Sequence, residues 1–206
     1  EAVLGRHRLR FVRSSASPLS PALLADLERI FRVPVIEAYS MTEIAMPLAS
    51  NPLPPRPRKP GSVGLPLVEI AIREADGRPC AAGVVGEVLV RGDGSRPNRA
   101  RQTELETLEG GWLRTGDQGR LDSDGYLFLT GRLKELIIKG GENIAPREID
   151  EVLLAHPAVL DAAVVGMPDK HYGQEILAAV VLREGRACGE DELRDFCLQR
   201  LGRYKT

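Results

Sequence analysis

The chain has 206 residues, of which 43% are hydrophobic and 28% charged, the balance of a globular protein with a buried core. Its formal net charge of -1 gives no general field that would draw it onto nucleic acid or an anionic membrane. Its three cysteines are far apart and lack metal-ligand spacing, which favours a reducing compartment. We therefore expect a cytoplasmic protein. No apolar run reaches the ~20 residues that span a bilayer, so we expect no membrane span.

The first part of the chain predicts a parallel α/β layer. Residues 9–12 form a short apolar run that indicates a buried strand. Ser20 can cap a helix that has Pro21 at its first position, and leucines at helical spacing follow. Residues 34–38 predict a second strand. The segment Tyr39–Glu43 would then follow the carboxyl end of that strand, where open α/β sheets bind their ligands.

The middle of the chain predicts small β structure. Prolines are frequent in residues 47–60, which predicts an extended loop and a subdomain boundary. Short strand patterns at residues 68–73, 87–91 and 126–129 indicate a small barrel or sandwich. Residues 93–109 are polar and predict a surface loop with a short helix.

The last part predicts a three-strand α+β module that ends in a helix. Its predicted elements are a strand at 136–138, a turn at 139–141, a helix from Pro146, strands at 162–165 and 176–182, and a helix at 193–201.

Four short segments occur in an order and at a spacing that resemble the adenylate-forming superfamily, which includes acyl-CoA synthetases, adenylation domains and luciferases. They are Tyr39-Ser40-Met41-Thr42-Glu43, Gly111-Trp112-Leu113-Arg114-Thr115-Gly116-Asp117, Gly131-Arg132-Leu133-Lys134-Glu135 and Gly140-Gly141-Glu142-Asn143-Ile144. The resemblance covers nearly the whole chain. It implies binding of ATP or AMP, Mg²⁺ and coenzyme A.

The first segment would hold the nucleotide. An aromatic ring such as Tyr39 can stack on a purine, a hydroxyl such as Thr42 can donate to a phosphate oxygen, and a carboxylate such as Glu43 can bind a hard cation. The resemblance assigns these three residues to adenine, the α-phosphate and Mg²⁺. It also assigns Ser40 and Met41 to nucleotide binding. The structural alternative is a strand-end turn with a buried Tyr39 and a solvated Glu43.

Three later residues complete the nucleotide site and the hinge that the resemblance implies. Asp117 can accept hydrogen bonds from both ribose hydroxyls, and Arg132 has a charged fork that can reach ribose and phosphate oxygens. Lys134 stands where the family has a hinge before a mobile domain. The alternatives are a turn-capping Asp117, a surface salt bridge at Arg132 and an exposed lysine at 134.

Further residues are assigned to cofactor binding. Gly140 and Gly141 lack Cβ atoms, so a thin ligand can pass along their backbone, and the resemblance places them along the pantetheine path of CoA. Lys139 beside them could attract a CoA phosphate. Ser15 and Ala16 are assigned to the nucleotide by resemblance. A tight hairpin turn is the alternative for the two glycines.

The expected architecture is α/β plus α+β. The implied domains are residues 1–59, the end of an α/β nucleotide-binding subdomain, residues 60–131, a β-barrel subdomain, and residues 132–206, an incomplete mobile α+β domain. The family's phosphate loop would lie upstream of Glu1 and its adenylating lysine beyond Thr206, so we expect poor adenylation by these residues alone. The sequence leaves formation of a homodimer open.

The implied activity is ATP-dependent conversion of a carboxylic acid to an acyl-adenylate, followed by transfer to CoA. The closest branch resembles oxalate–CoA ligases, although Met46 stands where that branch usually has His, which favours a more apolar acyl group. Three alternatives stay open: an adenylation domain that loads a carrier protein, an inactive fragment, and an interaction module. The last rests on residues 54–59, which match a PxxPxK ligand of SH3-type domains.

Overall fold

The computed structural model describes residues 8–17, 19–42, 44–92 and 106–206, without the side chain of Ala45. The chain divides into two compact units, Glu1–Leu129 and Thr130–Thr206. Both units have buried hydrophobic cores of their own. No helix within the described ranges is long and apolar enough to cross a membrane.

The first unit begins with a four-stranded sheet in the order β1-β2-β3-β4. Its elements are β1 (Val12–Ser14), α1 (Pro21–Phe31), β2 (Val35–Met41), β3 (Ile44–Ser50) and β4 (Leu65–Pro66). The predicted helix start is confirmed, because the Ser20 hydroxyl accepts a 3.2 Å hydrogen bond from the Leu23 amide and Pro21 is the first helical residue. The predicted parallel pairing is confirmed between β1 and β2, although β1 begins at Val12, where the predicted strand ended.

The prediction that Tyr39 follows the carboxyl end of a strand was wrong, because Tyr39, Ser40 and Met41 are part of β2. Pairing with β3 extends the strand, and Ser40 lies opposite Pro47 where the register of this hairpin shifts. Such a bulge accommodates a proline, which has no amide hydrogen to give to a regular ladder. The predicted loop therefore begins after Ser50 and not at Pro47.

A second four-stranded sheet has the order β5-β6-β7-β8. Its strands are β5 (Glu69–Arg73), β6 (Gly86–Arg91), β7 (Leu113–Leu121) and β8 (Leu127–Arg132). We did not predict β7 because polar residues and glycines occupy several of its buried positions. Within the part of the chain that the structure describes, no pairing joins β5 to β8, so the predicted barrel is not confirmed. Of the predicted loop at 93–109, residues 93–105 lie outside the described residues.

One hydrophobic core joins the two sheets of the first unit. Its buried residues come from both sides of residue 60 and are Tyr39, Ile44, Leu48, Ala49, Ile72, Val88, Val90, Leu113 and Leu127. This core crosses the expected division at residues 59 and 60, whereas a smaller core around Leu24 and Val35 lies wholly before it. The three-part domain scheme stays a prediction.

The second unit is an α+β module with a sheet in the order β10-β9-β12-β11. Its elements are β9 (Ile137–Lys139), β10 (Glu142–Ile144), α2 (Pro146–Leu154), β11 (Val159–Asp169), β12 (Gly173–Leu182) and α3 (Glu190–Leu201). Both predicted helices are confirmed, but the sheet has four strands instead of three because β10 folds back onto β9. The helices cover one face of the sheet around Ile137, Ile149, Val164 and Cys197.

The segment Gly61-Ser62-Val63-Gly64 provides a test of backbone packing. Both glycines have positive φ, but a Cβ on Gly64 would lie 1.9 Å from the Asn51 nitrogen, whereas nothing lies within 4 Å of a Cβ on Gly61. We expect Gly61→Ala to cost about 1–2 kcal/mol from φ alone, and Gly64→Ala to cost more than ~3 kcal/mol. Urea denaturation followed by fluorescence of Trp112 measures both, and equal losses would contradict this packing.

Candidate functional site

Tyr39 and Asp117 are predicted site residues from separate motifs that meet in the first unit. The Tyr39 hydroxyl donates a short hydrogen bond to the Asp117 carboxylate, and the two residues are 78 positions apart in the sequence. Tyr39 is 7% exposed and Asp117 5% exposed. A buried carboxylate needs donors that replace water, and the phenol is one of them.

The local structure of β7 directs the Asp117 side chain inward. The Thr115 hydroxyl donates to the Val88 carbonyl at 2.7 Å and accepts from the Asp117 amide at 3.0 Å. Gly116 between them has a φ of 72°, which favours glycine at this position. Within β7, these two hydrogen bonds of Thr115 therefore hold the backbone at Asp117 next to the neighbouring strand β6.

The ring of Tyr39 belongs to the hydrophobic core. A purine platform needs one open ring face, so the residues over Tyr39 would have to shift before adenine could stack there. The ring is buried, as the alternative of a strand-end turn expected. Its hydroxyl nevertheless contacts Asp117, the carboxylate that is predicted to bind the ribose. The platform role of Tyr39 stays a prediction.

The remaining nucleotide-binding candidates of the first unit lie around the end of β2. The Ser15 and Ser40 hydroxyl oxygens are 3.3 Å apart, and Ala16 next to Ser15 has a positive φ of 76°. Thr42 is exposed, so its hydroxyl can reach a ligand, whereas Met41 packs against the core. Glu43, the candidate for catalysis and Mg²⁺ binding, lies outside the described residues.

A buried polar network supports the strand that carries Tyr39, and sequence reasoning missed it. Asn51 donates from its side chain to the Ser62 carbonyl at 2.6 Å and from its backbone to the Glu37 carbonyl at 2.9 Å. The Gly61 amide donates to the Glu37 carboxylate at 3.3 Å. Glu37, Asn51 and Ser62 are each at most 5% exposed. The Gly-Ser-Val-Gly segment thereby holds β2 and β3 together.

Two further candidates lie near the boundary between the two units. Arg132 is the last residue of β8, and Lys134 lies in the short 3-10 helix Leu133–Glu135. Both side chains are exposed. The ribose contact of Arg132 and the hinge role of Lys134 stay predictions.

In the second unit, Gly140 and Gly141 form the turn between β9 and β10, with φ of 57° and 91°. Lys139, the candidate for a CoA phosphate, precedes them and is buried. It is 8% exposed, and its ammonium is 2.5 Å from the Glu175 carboxylate. This hydrogen bond is the main cause that lowers the pKa of Glu175. Binding of a CoA phosphate by Lys139 would require this ion pair to open.

His156, Cys188 and Glu192 form a cluster that the sequence did not indicate. Their ligand atoms lie within 4.8 Å of one another, close enough to consider a metal ion. However, Nδ1 of His156 accepts a hydrogen bond from the Ala158 amide at 3.2 Å. The neutral imidazole then carries its proton on Nε2, the nitrogen that lies 3.6 Å from Glu192, so it is not set up to bind a metal there. Burial also raises the pKa of the Cys188 thiol.

In the proline-rich segment, two of the three basic side chains are paired within the chain, whereas Arg56 is exposed. Arg58 donates to the Val35 carbonyl at 2.7 Å and to Glu28, and Lys59 lies 2.5 Å from Asp122. The lysine that ends the PxxPxK match and the arginine before it are therefore engaged within the chain. The structure gives this alternative no support.

Comparison with known proteins agrees with the motifs. The family model for AMP-binding enzymes matches residues 3–96, and the model for the C-terminal domain of AMP-binding enzymes matches residues 148–206. The chain belongs to the AMP-binding enzyme family, the adenylate-forming enzymes that the motifs indicated.

Individual relatives include CoA ligases. The chain is 49% identical over 202 residues to sulfoacetate–CoA ligase of Cupriavidus necator. The match covers 96% of this chain and 40% of that protein. It is 45% identical over 203 residues to oxalate–CoA ligase of Arabidopsis thaliana, with 97% and 40% covered. The chain thus spans about 40% of the length of the curated relatives it matches.

A solved structure gives the same result for the fold. The o-succinylbenzoate CoA synthetase of Bacillus subtilis, in complex with its acyl-adenylate intermediate, superposes with a TM-score of 0.80 at 35% identity. The match covers 100% of this chain and 43% of that protein.

The Tyr39–Asp117 contact can be tested through stability. Tyr39→Phe removes one donor from a buried carboxylate, so we expect a loss of about 1.5–3 kcal/mol in the free energy of unfolding. Tyr126→Phe is a matched control, because Tyr126 is also buried but donates to the neutral Pro57 carbonyl. We expect that variant to lose only about 0.5–1.5 kcal/mol. Urea denaturation measures both, and the cost of Tyr39→Phe should shrink in an Asp117→Asn background; an undiminished cost there would contradict the contact.

Proposed function

We propose that this chain belongs to an ATP-dependent ligase that converts a carboxylic acid to an acyl-adenylate and transfers the acyl group to CoA. In that ligase it would provide the AMP site and the Gly140–Gly141 turn along which the pantetheine arm of CoA binds. The chain's membership of the AMP-binding enzyme family supports this proposal. So do the relatives whose names describe CoA ligases.

The observation that carries the proposal is the contact between Tyr39 and Asp117. The two residues come from separate motifs, and the resemblance assigns them to adjacent parts of one nucleoside. Asp117 would accept hydrogen bonds from the ribose hydroxyls while the Tyr39 hydroxyl holds the carboxylate in place. Thr42, which is exposed at the end of β2, would donate to the α-phosphate.

The reaction would proceed in two steps. A carboxylate oxygen of the acid attacks the α-phosphorus of ATP, the bond from that phosphorus to the bridging oxygen breaks, and pyrophosphate leaves. The CoA sulfur then attacks the acyl carbon, the bond from that carbon to the phosphate oxygen breaks, and AMP leaves. The thiol proton passes to solvent. Fixed donors such as Thr42 would stabilise charge on the phosphate in the first step.

Mg²⁺ would neutralise phosphate charge when it is bound, and Glu43 is the residue that the resemblance assigns to it. Since Glu43 lies outside the described residues, this assignment rests on sequence. Adenylation also needs the upstream phosphate loop and the downstream lysine that the family has, so we propose the complete reaction only for a chain that contains them.

The acceptor and the acid are supported to different degrees. The Gly140–Gly141 turn and the names of the relatives support CoA over a carrier protein. The acids in the names of the relatives, sulfoacetate, oxalate and o-succinylbenzoate, each carry a second anionic group. They give no support to the apolar acyl group that Met46 favoured, and Met46 itself packs against the core. We name no acid.

Binding of AMP to the 206-residue chain tests the proposal without requiring turnover. We expect AMP to bind more tightly than 2′-deoxy-AMP, because Asp117 would contact the 2′-hydroxyl. Asp117→Asn exchanges one acceptor oxygen for a donor and removes the charge, so AMP affinity should fall about 10-fold or more and the preference should disappear. Isothermal titration calorimetry measures the affinities.

The matched control is Asp76→Asn, the same change at an exposed turn of the same unit. It should leave the AMP affinity unchanged. The assignment of Asp117 would be overturned if the Asp117→Asn variant bound AMP as tightly as the parent chain and still discriminated against 2′-deoxy-AMP to the same degree.

A further inference from the structure

One peptide group of the glycine turn is held from both ends. The carbonyl of Lys139 accepts a short hydrogen bond from the Tyr204 hydroxyl, and the amide of Gly140, in the same peptide group, donates to the Tyr172 carbonyl at 2.8 Å. A peptide plane with both polar groups bonded in opposite directions cannot rotate without breaking one of these bonds. The orientation of the turn therefore depends on Tyr204.

Tyr204 is itself anchored to the body of the second unit. It lies in the short 3-10 helix Arg203–Lys205 that follows α3. The next residue, Lys205, places its ammonium 2.6 Å from the carboxylate of Glu148 in α2. The Thr206 hydroxyl donates to the Gly202 carbonyl at 2.6 Å. The phenol thus reaches the turn from a segment that is tied to both helices.

The side chain of Lys139 is buried next to the turn that it precedes. Its ammonium pairs with Glu175 and lies 5.8 Å and 6.0 Å from the ring centroids of Tyr172 and Tyr204. At these distances the rings attract the cation weakly. The Glu175 pair and the two rings hold the Lys139 side chain, while the backbone carbonyl of the same residue accepts from the Tyr204 hydroxyl.

The packing also explains the glycine at position 140. A Cβ built on Gly140 would lie 2.7 Å from the Tyr204 hydroxyl oxygen, and the backbone has a φ of 57°. At Gly141, by contrast, nothing lies within 4 Å of a Cβ. The close approach of the phenol therefore accounts for one glycine of the pair by contact and not only by backbone angle.

We infer that Tyr204 is a positioning residue for the binding of CoA. Its hydroxyl fixes the peptide between Lys139 and Gly140, so that the glycine turn keeps an open backbone path for the pantetheine arm. This inference rests on the proposed function, which places the acceptor at this turn. Tyr204 acts through the turn and touches neither the nucleotide nor the reacting atoms.

Amide exchange at Gly140 measures the positioning directly. In Tyr204→Phe, the Gly140 amide should exchange about three- to tenfold faster with solvent, because the peptide loses one of its two restraints. Tyr172→Phe is the matched control: Tyr172 holds the turn through its backbone carbonyl, and its hydroxyl has no hydrogen-bond partner among the described residues. That variant should exchange like the parent, and equal exchange in the parent and in Tyr204→Phe would overturn the inference.

A second pair of variants tests the steric contact. Gly140→Ala should destabilise the second unit, and Tyr204→Phe should rescue part of that loss because it removes the atom that the new Cβ would meet. The strain from the positive φ of Gly140 would stay in both. Purely additive effects of the two substitutions on the unfolding midpoint would contradict a direct contact between them.

Titration with CoA itself separates positioning from mere folding. In the parent chain, CoA should shift the amide resonances of Gly140 and Gly141, and Tyr204→Phe should weaken that apparent affinity about tenfold while leaving AMP affinity unchanged. No CoA-dependent shift in the parent, or an unchanged CoA affinity in the variant, would overturn the inference. AMP binding in the same samples tests the proposed function separately. If the parent chain bound neither CoA nor AMP, the result would contradict the proposed function as well as the role of Tyr204.

Discussion

The hydrogen bond from Tyr39 to Asp117 is the interaction on which the account of the first unit depends. It joins β2 to β7 across 78 residues of sequence and places an aromatic ring next to a carboxylate. Asp117 is almost fully buried, so its charge has to be balanced by donors that the fold supplies. The Thr115 hydroxyl fixes the backbone at Asp117, and the Glu37, Asn51 and Ser62 network fixes the strand of Tyr39. Site and scaffold are therefore built from the same buried polar contacts.

The second unit applies the same principle to a turn. Lys139, a residue type that normally faces solvent, is buried against Glu175, and its backbone is bonded to Tyr204. A buried charge needs a partner of opposite sign. Here Glu175 is that partner, and it also fixes the direction of the Lys139 side chain. In both units, a group that is proposed to contact a ligand is held in place by hydrogen bonds within the protein: Asp117 by Tyr39, and the glycine turn by Tyr204. These contacts fix the Asp117 carboxylate and the glycine turn in advance of binding, whereas use of the Tyr39 ring face or of the Lys139 ammonium by a ligand would require them to rearrange.

Features that depend on a few neighbouring residues could be predicted from the sequence. The helices that begin at Pro21 and Pro146 were found because their start signals are local. Strands β3, β7 and β10 were missed because a proline, buried polar residues or glycines obscure their patterns and only pairing with a partner strand reveals them. At the site, the motifs selected Tyr39 and Asp117, but spacing could not indicate that they touch. The burial of Lys139 could not be foreseen either, since it depends on Glu175 and Tyr204 in distant segments.

The central claim is that AMP binds where Tyr39 meets Asp117. Fluorine NMR of the chain labelled with 3-fluorotyrosine tests it directly, because the protein has only four tyrosines and each can be assigned by substitution with phenylalanine. Two of them, Tyr172 and Tyr204, lie in the second unit. Saturating AMP should move the Tyr39 resonance and leave those of Tyr172 and Tyr204 in place. A saturable shift at Tyr204 without one at Tyr39, or no shift at any of the four, would contradict the account.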